Sequence, residues 1–281
     1  MHQLAGKRKG RGALTNRTGR YEKRLLYVKE NAAALLAEAF DKPGYVPAPI
    51  AVGVNTDAWQ PLERKLGITR AILEVLLDCH HPCYLITKSA LIERDIDILA
   101  ALAGEQLVTA SITITTLDKS LSRCLEPRAS APHRRLRTIE RLATAGIPVR
   151  VSISPIIPAL NEMEIETIVR EAACAGAECA WAIPLRLPHE LPELFEEWLE
   201  QHCPLKKERV LNGVREIRGG KLNDTRFGFR MRGNGPRAEL IARRLELACR
   251  RAGIACGQHP MQLRSDRFTP PRRQLQGDLF N

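Results

Sequence analysis

The sequence predicts an α/β protein built on parallel strands, and two observations carry that prediction. Apolar runs alternate with amphipathic helical segments five times between residues 50 and 202. Each run is nearly continuous, which is typical of parallel strands that are covered on both faces. Right-handed crossovers join such units into an open doubly wound sheet or a curved barrel, and the pattern fits both.

The predicted elements follow one another closely along the chain. A first helix is predicted over residues 23–40 and is ended by Lys42-Pro43-Gly44. The predicted strands are 50–54, 83–86, 107–114, 147–157 and 179–183. The helices that follow them are 67–79, 90–103, 132–145, 162–175 and 189–202.

Composition predicts a globular protein of the cytoplasm. No run approaches the roughly 18 apolar residues of a membrane span, and no apolar signal sequence follows the basic N-terminus. The eight cysteines are scattered along the chain, so we expect reduced thiols rather than disulfides. We expect a monomer that makes no contact with a membrane.

Charge divides the chain into regions. Residues 1–24 carry 8 Lys and Arg against one Glu, and residues 205–281 carry 18 against 7 Asp and Glu. We predict a basic flexible segment over 1–22, an α/β barrel over 23–203, a basic extension over 204–263 and a flexible tail over 264–281. Basic ends are typical of nucleic-acid-binding proteins, although a solvated basic surface gives the same pattern.

Polar residues cluster where the predicted strands end, which is where α/β folds place their active sites. Asn55-Thr56-Asp57 follows the first strand, Thr87-Lys88-Ser89 the second and Thr115-Thr116 the third. No glycine-rich phosphate-binding motif follows any strand, which argues against the common nucleotide-binding folds.

Several segments together resemble the spore photoproduct lyase-like branch of the radical S-adenosylmethionine (SAM) proteins. They are residues 52–63, 86–89, 125–128, 147–158 and 233–241, and residues 9–16 resemble the family's start. The resemblance implies a partial (β/α)6 TIM-like barrel with SAM and a [4Fe–4S] cluster as cofactors. It also implies reductive cleavage of SAM to a 5′-deoxyadenosyl radical by a lyase related to DNA repair.

The resemblance assigns cofactor-binding residues to the ends of the strands. Thr56 and Asp57 lie where the family contacts SAM, and Lys88 offers a cation that suits the SAM carboxylate. Ser111 and Thr113 lie on a strand that faces SAM in the family. The structural alternatives are a turn capped by Asp57 and ordinary strand positions for Ser111 and Thr113.

Arg128 lies in a loop that resembles a family motif. Its guanidinium would hold a carboxylate or phosphate with two parallel hydrogen bonds. The alternative is an ion pair between Arg128 and Glu126 within the same loop.

The Cys-x3-Cys-x2-Cys loop that binds the family's cluster does not occur in this sequence. In the family, this loop and a first strand lie between the start and the first helix, whereas here Glu22 is followed directly by Lys23. We therefore infer that a segment is missing at this point. We expect a barrel incomplete at its first strand and without the family-type cluster.

The segment from Cys79 to Cys83 is the best alternative metal site in the sequence. Two cysteines with His80 and His81 could hold zinc, although Cys/His sites usually take their ligands from two separated pairs. Ile86 stands where the family's motif has its third cysteine. The competing interpretation is a helix-to-strand turn with two buried thiols.

The C-terminus ends in Gln-Gly-Asp-Leu-Phe-Asn. This ending looks like the short peptide by which bacterial DNA-processing proteins bind the sliding clamp. Leu279 and Phe280 would enter an apolar pocket while Gln276 fixes the orientation of the peptide. The alternative is a tail that folds back on the chain.

Three hypotheses about function follow. The first is a radical SAM protein related to DNA repair lyases, with SAM cleavage impaired in this chain because the cluster ligands are absent; whether the chain is an enzyme stays open. The second is a non-catalytic protein that binds nucleic acid or the clamp. The third is a poorly folded deletion product that exposes its edge strands.

Overall fold

Six parallel strands form one sheet in the computed structural model, which describes residues 28–226, 228–257 and 262–271. The strands are β1 (Ile50–Val52), β2 (Cys83–Thr87), β3 (Val108–Thr113), β4 (Val149–Ile156), β5 (Cys179–Pro184) and β6 (Ala255–Cys256). Their spatial order follows the sequence order, and every neighbouring pair is parallel. Within the described residues β1 and β6 are the two edges, so the sheet is the open, partial barrel that we predicted.

Helices connect the strands and cover one side of the sheet. They are α1 (Ala32–Phe40), α2 (Glu63–Leu66), α3 (Ile68–Asp78), α4 (Ile96–Gly104), α5 (Lys119–Leu125), α6 (Pro132–Thr144), α7 (Ile165–Cys174), α8 (Leu191–His202), α9 (Lys207–Ile217), α10 (Phe229–Arg232) and α11 (Gly235–Ala252). Pro132 opens α6 at a position where its missing N–H costs no hydrogen bond. Gly253 ends α11 in the left-handed conformation.

The two faces of the sheet differ in composition. Leu85, Ala110 and Val149 are paired across β2, β3 and β4 and are buried in one apolar core with the helices. Because side chains alternate along a strand, the residues between them point to the other face. Thr109, Ser111 and Arg150 lie there, and we call this the inner face.

Gly53 follows β1 and makes a close approach to β2. Its φ angle is +90°, and an added Cβ would lie 2.1 Å from the carbonyl oxygen of Ile86. Only glycine permits this contact, because any side chain would collide with the backbone of β2. The exit of β1 is thereby held against the strand that carries Lys88 at its end.

The region we predicted as a basic extension packs on the sheet. Helix α11 contacts α7, α9 and β5. A second apolar cluster joins the loop after β4 to α8 and α9 through Ile157, Leu199 and Val214. Strand β6 adds to the sheet beside β5, an element too short for the sequence pattern to reveal.

Residues 262–271 include the start of the predicted flexible tail at residue 264, and they lie against the opposite edge of the strands from the polar ends. The Thr269 N–H donates to the carbonyl of Cys79 over 3.0 Å, and Phe268 packs edge-on against Phe40 and His81. His81 is fully buried there, and its Nε2 is 2.8 Å from the Tyr45 hydroxyl. This aromatic cluster fixes the segment to the base of the barrel.

The predicted elements match the observed ones with small shifts. The first helix begins at Ala32, and residues 28–31 are not helical. The helices predicted from residues 90 and 162 each begin with a 3-10 turn, Ala90–Asp95 and Glu162–Glu164. The segments 1–22 and 272–281 lie outside the described residues, as do Gln276, Leu279 and Phe280. None of the described helices is long and apolar enough to cross a membrane.

Candidate active site

Asp57 joins the ends of two strands at the polar edge of the sheet. Its Oδ1 accepts hydrogen bonds from the Trp59 N–H at 2.9 Å and the Thr87 hydroxyl at 2.7 Å. Its Oδ2 accepts from the Lys88 N–H at 2.8 Å. The carboxylate therefore caps a turn and links the loop after β1 to the end of β2. The assignment of Asp57 to SAM stays a prediction, and these contacts favour its structural alternative.

Lys88 lies in a charged network with Glu126. The Lys88 Nζ is 2.7 Å from Glu126 Oε1, and the Arg135 Nη2 is 2.6 Å from Glu126 Oε2. The Thr115 hydroxyl donates to Glu126 Oε1 over 2.7 Å. We call Lys88, Thr115, Glu126 and Arg135 the rim network. The Lys88 cation that we assigned to the SAM carboxylate thus has a carboxylate partner within the protein.

The charge state of Glu126 follows from these neighbours. Burial alone would raise the pKa of its carboxyl, but the Arg135 and Lys88 cations and their hydrogen bonds hold that pKa below its usual value. Arg135 is only 1% exposed and donates further hydrogen bonds to the carbonyls of Thr113 and Ser130. The Glu126 carboxyl is therefore ionised, and it is the partner of both cations.

The other two predicted binding residues on loops are exposed. Thr56 has one long contact, 3.5 Å between its hydroxyl and Gln60 Nε2. Arg128 makes no ion pair within the described part of the chain, and Glu126 binds Lys88 and Arg135 instead. The alternative in which Arg128 pairs with Glu126 is therefore wrong.

Ser111 lies on the inner face within a polar patch that we predicted only in part. The register pairs Ser111 with Arg150, and Thr113 with Ser152. Ser152 is in turn paired with Trp181 on β5. The inner face thus carries hydroxyl, guanidinium and indole groups on three adjacent strands.

Three of these groups have buried polar atoms without a hydrogen-bond partner in the described structure. They are Arg150 Nε, Ser152 Oγ and Trp181 Nε1, and we call these residues the inner-face trio. We did not predict them, although the sequence held a signal. In Val-Arg-Val-Ser-Ile-Ser over residues 149–154 polar side chains alternate with apolar ones, which indicates a strand with one polar face.

The comparisons with known proteins show the family. A family model described as the radical SAM superfamily matches residues 14–172, more than half of the chain. This chain belongs to the radical SAM superfamily. The match covers β1 to β4 and most of α7, so the rim network and two members of the inner-face trio lie inside the radical SAM region.

Relatives of this radical SAM chain come from bacteria, archaea and a virus. An uncharacterized protein of Mycobacterium tuberculosis is 27% identical over 179 residues, covering 63% of this chain and 53% of that protein. An uncharacterized protein of Methanocaldococcus jannaschii is 29% identical over 186 residues, covering 66% of each. The chain therefore spans about half the length of the mycobacterial relatives that it matches.

Solved structures show the same radical SAM fold. A mutant spore photoproduct lyase with bound AdoMet and dinucleoside spore photoproduct matches with a TM-score of 0.56 and 16% identity. The match covers 80% of this chain and 64% of that one. A second mutant of the lyase with the dinucleoside matches with a TM-score of 0.54 over 80% and 65% of the two chains.

The superfamily implies a [4Fe–4S] cluster, and the described residues do not fit one. Within residues 28–226, 228–257 and 262–271, no three His, Cys, Asp or Glu side chains are grouped to hold a metal ion. Cys79 and Cys83 are buried, and burial raises the pKa of Cys83 to about 12, so this thiol is protonated. His81 belongs to the aromatic cluster, which argues against zinc in the segment from Cys79 to Cys83.

Proposed function

We propose that this chain is a radical SAM protein related to spore photoproduct lyase and that it binds SAM in its barrel. The observation that supports the proposal is the open parallel barrel with a polar inner face beside a polar strand edge. In α/β barrels, ligands bind at the carboxyl ends of the strands. Thr56, Lys88, Ser111 and Arg128 are the residues we assign to SAM, with Ser111 on the inner face and the others around the edge.

SAM binding is tested by calorimetry on the purified chain without added iron. We expect saturable binding that weakens in Ser111→Ala, because the hydroxyl would contact the ligand. Arg170→Gln, an exposed variant on α7, is the matched control and should bind like the unchanged chain. Absence of saturable binding contradicts this part of the proposal.

We further propose that the chain with this sequence does not cleave SAM reductively. Three cysteine ligands hold the family's cluster, and in this sequence no Cys-x3-Cys-x2-Cys supplies them. When bound, the cluster supplies the electron that cleaves SAM. Without those ligands, the chain's own residues can bind SAM but cannot deliver that electron.

Anaerobic reconstitution with iron and sulfide tests that proposal. We expect neither the visible absorption of an iron–sulfur cluster nor release of 5′-deoxyadenosine from SAM. Appearance of both would overturn the proposal and make the chain a radical SAM enzyme as it stands.

A second candidate function is nucleic-acid binding without catalysis, and a basic groove favours it. A groove of about 630 Å³ beside the N-terminus of α6 is lined by Arg64, Arg94 and His133, among others. A neighbouring groove of about 240 Å³ shares His133 and adds Lys119 and Arg123. Arg64, Lys119 and Arg123 have no acidic partner within the described residues, so their charges can meet phosphates.

Salt-dependent binding of a labelled duplex tests this function. The triple variant Arg64→Gln/Lys119→Gln/Arg123→Gln should bind more weakly and show a shallower salt dependence. Its slope should fall by about 0.9 for each phosphate that the variant no longer neutralises. Arg170→Gln is the control for charge alone. Equal binding by the triple variant would remove the groove from the proposal.

Binding of the bacterial sliding clamp also remains a proposal for residues Gln276, Leu279 and Phe280. The chain leaves the described structure at Pro271, beside the aromatic cluster at the base of the barrel. We expect the clamp to be retained by the full chain in a pull-down and released by Leu279→Ala/Phe280→Ala. Equal retention of the double variant would contradict the proposal.

A further inference from the structure

The inner-face trio brings three hydrogen-bond donors together. Arg150 and Ser152 are two residues apart on β4 and therefore point to the same face. Ser152 and Trp181 are opposite each other on β4 and β5. Arg150 Nε, Ser152 Oγ and Trp181 Nε1 are each shielded from solvent and without a partner in the described structure.

Arg150 has fewer hydrogen bonds than Arg135 and Arg218, the other buried arginines of the described structure. It is 6% exposed, and its Nη2 donates a hydrogen bond to the Gly257 carbonyl over 2.7 Å. Arg135 pairs with Glu126, and Arg218 donates to the carbonyls of Pro184, Leu185, Phe229 and Arg230. No carboxylate among the described residues pairs with Arg150, and a buried charge without a counter-charge is costly.

Parts of the inner face beside these donors are exposed. Trp181 itself and its neighbour Ile183 are partly exposed, as are Tyr84 and Ile86 on β2. The opposite face is closed by helices, and Leu85 and Val151 there are at most 1% exposed. A ligand of the trio would therefore approach from the inside of the barrel.

We infer that Arg150, Ser152 and Trp181 bind an oxyanion, namely the carboxylate or phosphate of a small molecule held inside the barrel. A guanidinium, a hydroxyl and an indole N–H all donate hydrogen bonds, and an oxyanion accepts several at once. Its charge would balance that of Arg150. Ser111 lies opposite Arg150 on β3 and extends the site toward the centre of the sheet.

This site differs from the basic groove and from the rim network. The groove is lined by residues of the loops and helices outside the barrel, whereas the trio lies on β4 and β5. The rim network contains its own counter-charge in Glu126, so it attracts an anion less strongly. The inference requires no cluster and holds whether or not the chain binds nucleic acid.

Titration of the purified full chain with inorganic phosphate and, separately, with acetate tests the inference. Chloride at matched ionic strength is the reference in each titration. We expect tryptophan fluorescence to change saturably with at least one anion, and the change to vanish in Trp181→Phe. A response to phosphate alone identifies the ligand class as phosphate, and a response to acetate alone identifies it as carboxylate.

Two variants separate binding from folding. Arg150→Gln and Ser152→Ala should each weaken anion binding by about tenfold or more, because each removes a hydrogen bond that involves a charged group. Ser152→Ala removes a hydroxyl with no partner among the described residues, so it should remain folded even if Arg150→Gln does not. Arg170→Gln should bind anions like the unchanged chain. No saturable response to either anion, or equal affinity in the two trio variants and the unchanged chain, would overturn the inference.

Discussion

The rim network lies at the ends of the strands and the inner-face trio lies on β4 and β5, and the two differ in how their polar atoms are satisfied. Glu126 gives Lys88 and Arg135 a counter-charge, whereas Arg150 meets a carbonyl and no carboxylate among the described residues. A buried polar group with all its partners stabilises the fold, and one without partners costs stability. The difference separates a cluster whose charges are paired within the protein from one that lacks a counter-charge.

The largest expected effect tests the structural role of the rim network. Glu126→Gln should lower the free energy of unfolding by about 3–5 kcal/mol, because it leaves the buried Arg135 guanidinium without a counter-charge. The measurement is urea unfolding followed by circular dichroism. The exposed Glu140→Gln on the neighbouring α6 is the control and should leave the midpoint unchanged. Similar urea midpoints for both variants would show that the Glu126 carboxylate does not stabilise the fold.

A smaller effect is expected at Asp57, which holds two strand ends together. Asp57→Ala should destabilise the chain by about 1–3 kcal/mol, because two backbone N–H groups and the Thr87 hydroxyl lose their acceptor. Asp57→Asn keeps one acceptor oxygen and should restore part of the loss. The urea midpoints of the two variants give the comparison. An unchanged midpoint in Asp57→Ala would leave Asp57 free for a ligand, as first predicted.

The sequence predicted the polar residues at the ends of the strands better than those on the inner face, for a physical reason. Asp57 and Lys88 follow apolar runs, and parallel strands end at one edge, so their proximity follows from the pattern. Glu126 and Arg135 lie on a later loop and helix, and only the fold brings them to Lys88. No local pattern contains such a long-range pairing.

The part of the inner face on β4 was missed because this strand was interpreted as an apolar run. The run from Val149 to Ile153 alternates between core residues and Arg150 and Ser152, which is the pattern of a strand with two different faces. No sequence pattern shows whether a buried polar atom has a hydrogen-bond partner. Whether Ser152 finds a partner depends on β5 and on the loops around it.

His81 offers a test on a buried polar group away from both clusters. Burial lowers the pKa of His81 below its usual value, although its hydrogen bond with the Pro82 carbonyl acts in the opposite direction. The unfolded chain then binds a proton at a higher pH than the folded chain does. The free energy of unfolding should therefore fall as pH drops below about 6.5. His81→Phe keeps a ring in the cluster and should remove this part of the pH dependence. His80→Gln should keep it, and an unchanged slope in His81→Phe would contradict the assignment.

The smallest effect on stability is expected for Ser152→Ala, and it is the sharpest test of the comparison. Ser154 lies two residues along the same strand and accepts a hydrogen bond from the Ile183 N–H over 3.0 Å, whereas Ser152 Oγ has no partner in the described structure. Ser154→Ala should therefore cost about 1–3 kcal/mol, because a backbone N–H loses its acceptor, and Ser152→Ala should stay within about 0.5 kcal/mol or stabilise the chain. Urea midpoints of the two variants decide between them.

A cost for Ser152→Ala equal to that for Ser154→Ala would mean that the Ser152 hydroxyl already stabilises the fold, and the trio would then resemble the rim network. A neutral Ser152→Ala that loses anion binding would mean that this hydroxyl is held in place for a ligand.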